Sequence, residues 1–163
     1  MTEVLAIREK HDGALGDRSS VRLWLRLLSC TMAMEKDVQR RLGQRGATLA
    51  RFDVLAALDR HPGGMTMGAL SRALLVSNGN VTQLVQKLAR DGQVGIAPSP
   101  SDRRASIVRL SRQGRADFAR LAAAHHDWID GLLAGMDAAT RETLYQALGA
   151  LKRSIAKGQS LGS

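Results

Sequence analysis

A helical pattern of apolar residues runs through most of this chain and breaks at one place, between residues 93 and 110. There two short alternating segments, QVGIA and ASIVRL, flank a loop that contains two prolines and two adjacent arginines. Alternation of apolar and polar residues is typical of half-buried strands, because successive side chains of a strand point to opposite faces. The sequence therefore predicts a mainly α-helical fold with one small antiparallel β-hairpin, whose loop is residues 98–104.

The composition agrees with a helical domain that binds an anionic partner. Apolar residues make up 44% of the 163 residues but aromatic residues only 3%, so the core must consist mainly of aliphatic side chains. The formal net charge of +9 indicates nucleic acid or an anionic membrane surface as the partner. Residues 98–120 alone contain six basic and two acidic side chains, so the positive charge is densest around the hairpin.

The sequence also predicts the compartment. A single cysteine cannot form an intrachain disulfide, and the residues before Val21 include acidic side chains but no apolar core of a signal peptide. No apolar run approaches the roughly 20 residues of a membrane span. We therefore expect a cytoplasmic protein that does not associate with a membrane.

Capping residues and glycines divide the helical pattern into separate helices. The first covers residues 21–42, and the second ends at the His-Pro-Gly-Gly sequence of residues 61–64. Thr66, Ser111 and Asp137 each stand before a helix, where a side-chain oxygen can accept a hydrogen bond from the backbone. The first and last helices carry more apolar surface than one small subunit can bury, which predicts that both are buried in a homodimer.

The clearest helix of the chain begins at Ser77 and has apolar residues at positions 81, 84, 85 and 88, the spacing of one helical face. Its other face is rich in amides, hydroxyls and bases, and it lacks the acidic residues that most solvated faces carry. Such groups can read base edges and bind phosphates. The residues predicted to contact DNA from this helix are Ser77, Asn78, Asn80, Thr82, Gln83, Gln86 and Lys87.

Two helices at a tight turn, the second rich in amides, followed by a hairpin with a basic tip, are the arrangement of a winged helix-turn-helix. The second helix would enter the major groove of DNA. The hairpin would carry Arg103 and Arg104 to the neighbouring minor groove, where narrow A·T-rich DNA attracts arginine.

These residues resemble the MarR (multiple antibiotic resistance regulator) family of transcription factors from about residue 21 to residue 155. The resemblance lies in VSNGNVTQLVQKLARDGQV, in the DRR of residues 102–104, and in VRLSRQGR, which leads from the second strand into a long helix. It implies a homodimer with interlocked terminal helices, in which each subunit presents one winged helix to a palindromic site.

The resemblance also implies roles for single residues and for parts of the chain. Asp102 would hold Arg104 by an ion pair so that its guanidinium points into the minor groove, and Thr66 and Arg72 would contact the DNA backbone. The regions that it implies are a helical dimerisation region at 18–46 and 112–157, a DNA-binding lobe at 47–111, and terminal segments at 1–17 and 158–163 that are partly disordered.

Most members of this family are repressors that a small ligand releases from DNA, often an aromatic acid or a related thioester. The resemblance places that ligand between the dimer helices and the DNA-binding lobe. Apolar residues that could line such a site are Trp24, Leu28, Met32, Phe52 and Phe118. Basic residues that could bind its anionic group are Arg22, Arg26 and Arg51.

Other interpretations stay open at this point. A basic helical interaction module or a non-specific architectural DNA binder would also explain the charge. Cys30 suggests a redox-sensing repressor, but its apolar surroundings favour a buried structural cysteine. His125 and His126 suggest a metal site, but too few ligands share a helix face, so we expect neither metal nor cofactor. No enzyme motif is present, and we expect no enzymatic activity.

Overall fold

A computed structural model of the chain describes residues 18–75, 78–100, 102 and 105–161. The fold is mainly helical with one small sheet, as the sequence predicts. The helices are α1 (Ser19–Gly43), α2 (Leu49–Asp59), α3 (Met67–Leu74), α4 (Asn78–Arg90), α5 (Arg112–Leu133) and α6 (Ala138–Leu161). The strands are β1 (Met65–Thr66), β2 (Val94–Pro98) and β3 (Ser106–Leu110).

The sheet contains the predicted hairpin and one strand that the sequence does not reveal. β2 and β3 are antiparallel, with Val94 opposite Leu110 and Pro98 opposite Ser106. β1 pairs with the other edge of β3, so the strand order is β1-β3-β2. A strand of two residues is too short to show an alternating pattern, which is why it could not be predicted.

Side-chain caps begin the helices where the sequence predicts them. The hydroxyl of Thr66 accepts a hydrogen bond from the Ala69 amide at 3.2 Å, and the hydroxyl of Ser111 accepts one from the Gly114 amide at 2.9 Å. The carboxylate of Asp137 accepts one from the Thr140 amide at 2.7 Å, and this bond lowers the pKa of Asp137.

The described residues form two compact units, one that ends at His126 and one that begins at Asp127. The first contains a continuous aliphatic core to which α2, α3, α4 and all three strands contribute. Its largest fully buried side chains outside α1 are those of Leu55, Leu58, Leu70, Leu88, Val54, Val81, Val85 and Val108. The predicted division between 47–111 and 18–46 with 112–157 stays a prediction.

Two terminal helices differ from expectation. α1 buries only Leu25, Val38 and Leu42, and Cys30 is exposed, so the prediction of a buried cysteine is wrong for this subunit. Apolar residues occur on more than one face of α1, whereas the rest of this subunit buries only these three of them. α6 continues to Leu161, so residues 158–161 are helical where the sequence predicts a partly disordered tail. No described helix has the length and apolar character that crossing a bilayer requires.

A polar junction ties the end of α4 to α2 and α5. Gln93 accepts a hydrogen bond from Nε of Arg51 and donates one to the carboxylate of Asp117, both at 2.9 Å. Arg51 also forms an ion pair with Asp91 at 2.9 Å. The bond from Gln93 is the main cause that lowers the pKa of Asp117, and Arg120 adds to the effect.

Gly64 provides a test of the packing between the turn after α2 and the sheet. Its φ is +88°, and a Cβ there would lie 2.5 to 2.7 Å from side-chain atoms of Ile107 and Arg109 and from the Val108 carbonyl oxygen. We expect Gly64→Ala to lower the free energy of unfolding by about 2 kcal/mol or more, because both the backbone and the neighbours oppose a side chain. Urea unfolding at equal protein concentration measures the change.

Gly63→Ala is the matched control, because a Cβ at the adjacent Gly63 would meet nothing within 4 Å. We expect that variant to unfold within about 0.5 kcal/mol of the wild type, the usual range for surface substitutions. Equal unfolding midpoints for the two variants would contradict this account of the turn.

The lowered pKa of Asp117 predicts a pH dependence of stability. Because the folded pKa lies below the unfolded value of about 3.9, the stabilisation is present above that value. It is lost as the pH falls through the folded pKa. We expect the stability difference between wild type and Asp117→Asn to shrink as the pH falls below about 4 toward the folded pKa. Urea unfolding at several pH values checks this, and a constant difference would refute it.

Candidate nucleic-acid interface

The burial of one side of α4 sets the orientation of this helix. α3 ends at Leu74, and the next residue, Leu75, has a left-handed backbone with φ 55° and is 92% exposed. α4 then places Val81, Val85 and Leu88 at 0% exposure in the core. These three side chains fix the rotation of α4 about its axis. The opposite face is therefore presented to solvent.

The exposed face of α4 carries most of the residues predicted to contact DNA. Thr82 is half-buried and Asn78 begins the helix. Ser77 lies outside the described residues. The predicted residues that the structure exposes are Asn80, Gln83, Gln86 and Lys87. The sequence pattern therefore predicted which side of α4 is exposed, because residues on one side of a helix repeat every three or four positions, and the contacts with DNA stay predictions.

A cleft of about 650 Å³ lies between α4 and the hairpin. Thr66, at the start of α3, lines this cleft together with Gln86 and Asp102. These three residues belong to separate parts of the chain. The other lining residues are Met67, Gly68, Thr82, Ile96, Ala105 and Ser106. Arg103 and Arg104 lie outside the described residues, so the minor-groove contact and the ion pair of Arg104 with Asp102 stay predictions.

A second groove, of about 620 Å³, follows the other side of α4 beside Ala50 of α2. Lys87 and Arg90 line it together with Asn80 and Gln83. Arg90 belongs to the polar face that the sequence predicts for this helix, although it is not among the residues predicted to contact DNA. Its position was nevertheless a usable signal, because Gln83, Lys87 and Arg90 are spaced i, i+4 and i+7 on one helical face.

Arg72, predicted to contact the DNA backbone, is exposed near the end of α3. Its guanidinium extends back along the helix to within 3.5 Å of the position that a Cβ on Gly68 would take. Because Gly68 lines the cleft, the positive charge of Arg72 lies near its edge.

The residues predicted to bind a small ligand are only partly brought together. The ring of Phe52 lies 5.6 Å from that of Phe118 and 4.7 Å from that of His125, a residue that is not in the predicted set. Burial lowers the pKa of His125, while the Asp53 carboxylate acts in the opposite direction. Arg51, predicted to bind an anionic group, is instead paired with Asp91 and hydrogen-bonded to Gln93.

The α1 residues of that predicted set are mostly exposed. Trp24 is 59% and Met32 54% exposed, and Leu28 is half-buried. Arg22 and Arg26 are also exposed. Within the described part of the chain, no three His, Cys, Asp or Glu residues form a group that could hold a metal ion.

Comparison with known proteins agrees with this geometry. Residues 45–105 match the family model described as the MarR family. The transcriptional activatory protein BadR of Rhodopseudomonas palustris is 38% identical over 96 residues, which are 58% of this chain and 55% of BadR. That match therefore spans about half the length of the relative.

Solved structures extend the likeness over most of the chain. The fold matches a mutant MarR from E. coli complexed with operator DNA at a TM-score of 0.73 and 22% identity, over 81% of this chain and 94% of that one. A MarR family transcriptional regulator from Silicibacter pomeroyi has a TM-score of 0.72 and 34% identity, over 86% of this chain and 99% of that one. This chain, which carries a winged helix-turn-helix, belongs to the MarR family of transcriptional regulators.

Proposed function

We propose that this chain is a sequence-specific DNA-binding regulator that inserts α4 into the major groove. The observation that carries the proposal is the division of α4 into a fully buried aliphatic face and an exposed face of amides and bases. Between residues 78 and 90 there is no acidic side chain to repel phosphate. A module that needed only positive charge would have no use for Asn80, Gln83 and Gln86.

Each group of side chains has a distinct role in this proposal. The amides of Asn80, Gln83 and Gln86 read base edges, since an amide can pair with both the donor and the acceptor of adenine. Lys87 and Arg90 bind phosphates and position the helix. Ser77, Asn78 and Thr82 contact bases or phosphates near the start of α4, and Thr66 and Arg72 contact the backbone beside the cleft.

The hairpin supplies the second contact. β2 and β3 pair as far as Pro98 and Ser106, and in this proposal Arg103 and Arg104, which follow in the loop between the two strands, reach the minor groove. Asp102, exposed at the hairpin end of the cleft, would orient Arg104. The complex of E. coli MarR with operator DNA supports the placement of such a winged helix on a duplex.

We propose that the regulator acts as a homodimer. α6 exposes Leu144, Tyr145 and Ile155, with Tyr145 71% exposed, and α1 exposes Leu23 and Trp24. Apolar surface of this extent is unfavourable in water, at about 25 cal/mol for each Å². A second copy would cover it with the same surface, as a two-fold symmetric interface requires.

The dimer also accounts for an apolar groove at the start of α6. Its large apolar lining residues are Leu133, Met136, Leu144, Tyr145 and Leu148. We place part of the partner subunit in this groove.

We further propose that a small ligand relieves repression. The cluster of Phe52, Phe118 and His125 favours an aromatic ligand. Arg22 or Arg26 would bind the anionic group of that ligand, whether it is an aromatic acid or a related thioester. The α1 residues Trp24, Leu28 and Met32 would complete the site, whereas Arg51 is engaged in the junction with Gln93. The name of BadR makes activation the second candidate. Release of bound operator by aromatic acids or their thioesters would identify the ligand.

The first test is selection of bound sequences from a random DNA pool at near-physiological salt. We expect a palindrome with half-sites about one helical turn apart, because two winged helices of a dimer face the same side of the duplex. Arg104→Ala should lower the affinity for this operator and flatten its dependence on the logarithm of the salt concentration.

Substitutions on α4 separate specific from non-specific binding. Gln83→Ala should relax the base preference at one position of each half-site, at a cost of about 1 to 3 kcal/mol against the preferred base. Gln39→Ala, which removes an exposed glutamine from α1, is the matched control and should leave the selected sequence unchanged. Enrichment without any consensus would instead indicate an architectural DNA binder or a protein with another partner.

The dimer is tested on α6. We expect Leu144→Lys to shift the sedimenting species toward monomer and to weaken operator binding, because it places a charge in the proposed apolar interface. Gln146→Lys, two residues along the same helix, introduces the same side chain on another face and should stay dimeric. A wild type that sediments as a monomer at micromolar concentration would disprove the dimer.

A further inference from the structure

We propose that Gln93 is a positioning residue for DNA binding: its side chain holds the end of α4 against α2 and α5, and thereby sets how α4 and the hairpin meet the duplex. The inference rests on the proposed function, and it assigns a role to a residue outside the set proposed to contact DNA.

Gln93 connects α4 to the first strand of the hairpin. It lies in the short connection between Arg90, the last residue of α4, and Val94, the first residue of β2. Gly92, immediately before it, has a φ of +71°, so the chain turns sharply at this point. Any shift of Gln93 therefore moves both proposed DNA-binding elements, the α4 helix and the hairpin.

Gln93 is 7% exposed. Its side chain bridges two side chains of opposite charge that lie on different helices. Its oxygen accepts from the Arg51 guanidinium on α2, and its nitrogen donates to the Asp117 carboxylate on α5. Arginine can only donate and a carboxylate can only accept, so the amide has one possible orientation. No other uncharged side chain of this length supplies both an acceptor and a donor.

Each partner is held in turn by a further group. Arg51 forms its ion pair with Asp91, at the end of α4. Asp117 accepts from Arg120 and from Gln113 on its own helix. The bridge is therefore anchored at both ends, and a relative movement of α2 and α5 must break one of its two hydrogen bonds.

The backbone of Gln93 is restrained as closely as its side chain. Its amide donates to the Leu88 carbonyl at 2.9 Å, and its carbonyl accepts from the Ser111 amide at 3.0 Å. A Cβ at Gly114 would overlap that carbonyl oxygen, which shows how closely α5 approaches the residue. The backbone amide, the backbone carbonyl and both polar atoms of the Gln93 side chain are thus hydrogen-bonded. Replacing the side chain therefore removes at least one of these bonds.

The test is the variant Gln93→Glu, compared with the double variant Gln93→Glu/Asp117→Asn on the selected operator. The single substitution keeps the bond from Arg51 but sets two carboxylates against each other where a 2.9 Å hydrogen bond existed. We expect the operator dissociation constant to rise about tenfold or more. In the double variant the asparagine amide donates to the new glutamate, and we expect affinity to recover to within about threefold of the wild type.

The pH dependence of binding separates positioning by this bridge from a general loss of packing. In Gln93→Glu one of the two facing carboxyl groups takes up a proton as the pH falls and can then donate to the other. The charged groups that surround this pair are Arg51, Asp91 and Arg120. The affinity deficit of the single variant should therefore shrink toward pH 5, and that of the double variant should not.

Gln39→Glu, the same chemical change on the exposed face of α1, is the control for net charge and should alter affinity by less than about twofold. If Gln93→Glu does not fold, Gln93→Met removes both hydrogen bonds without adding charge, and it should still weaken binding. A folded Gln93 variant with wild-type affinity, or a single variant that Asp117→Asn does not rescue, would overturn the inference and leave the proposed function intact. A wild type that selects no sequence would overturn both.

Discussion

The burial of one face of α4 is the interaction on which the rest of the proposed DNA site depends. Val81, Val85 and Leu88 have no exposed surface, and they pack in the same core as Leu70 of α3 and Val108 of β3. Removing such side chains from water contributes roughly 1.5 to 3 kcal/mol for each residue. A helix held in this way cannot rotate, so the direction in which Gln83 and Lys87 point is set by the core.

The same core joins α4 to the hairpin. Val94 and Val108 bury their side chains against it from β2 and β3, and β1 extends the sheet from the turn that Gly64 makes possible. The cleft between α4 and the hairpin is therefore a product of packing. In the proposed complex, the width of this cleft determines whether one duplex can contact both elements together. The residues that hold α4 and β2 therefore matter as much as the proposed contact residues.

Much of this fold and site could be predicted from residue patterns. The spacing of four apolar residues identified the buried face of α4, and the caps at Thr66, Ser111 and Asp137 located the starts of three helices. The alternation on either side of residues 98–104 identified the hairpin. These features are local, because hydrogen bonding and periodicity within a few residues decide them. Cys30 was misplaced because the pattern of α1 does not show which of its apolar faces this subunit covers.

By itself, the sequence determined the helix periods, the caps, the excess of positive charge and the chemical character of the face that α4 presents. Only the tertiary structure decided which distant side chains meet. Arg51, Gln93 and Asp117 lie far apart along the chain and join in one hydrogen-bonded bridge, and Phe52 meets Phe118 and His125. The physical reason is that capping and periodicity depend on residues close together in the sequence. Contacts between distant side chains depend instead on how whole helices pack against one another.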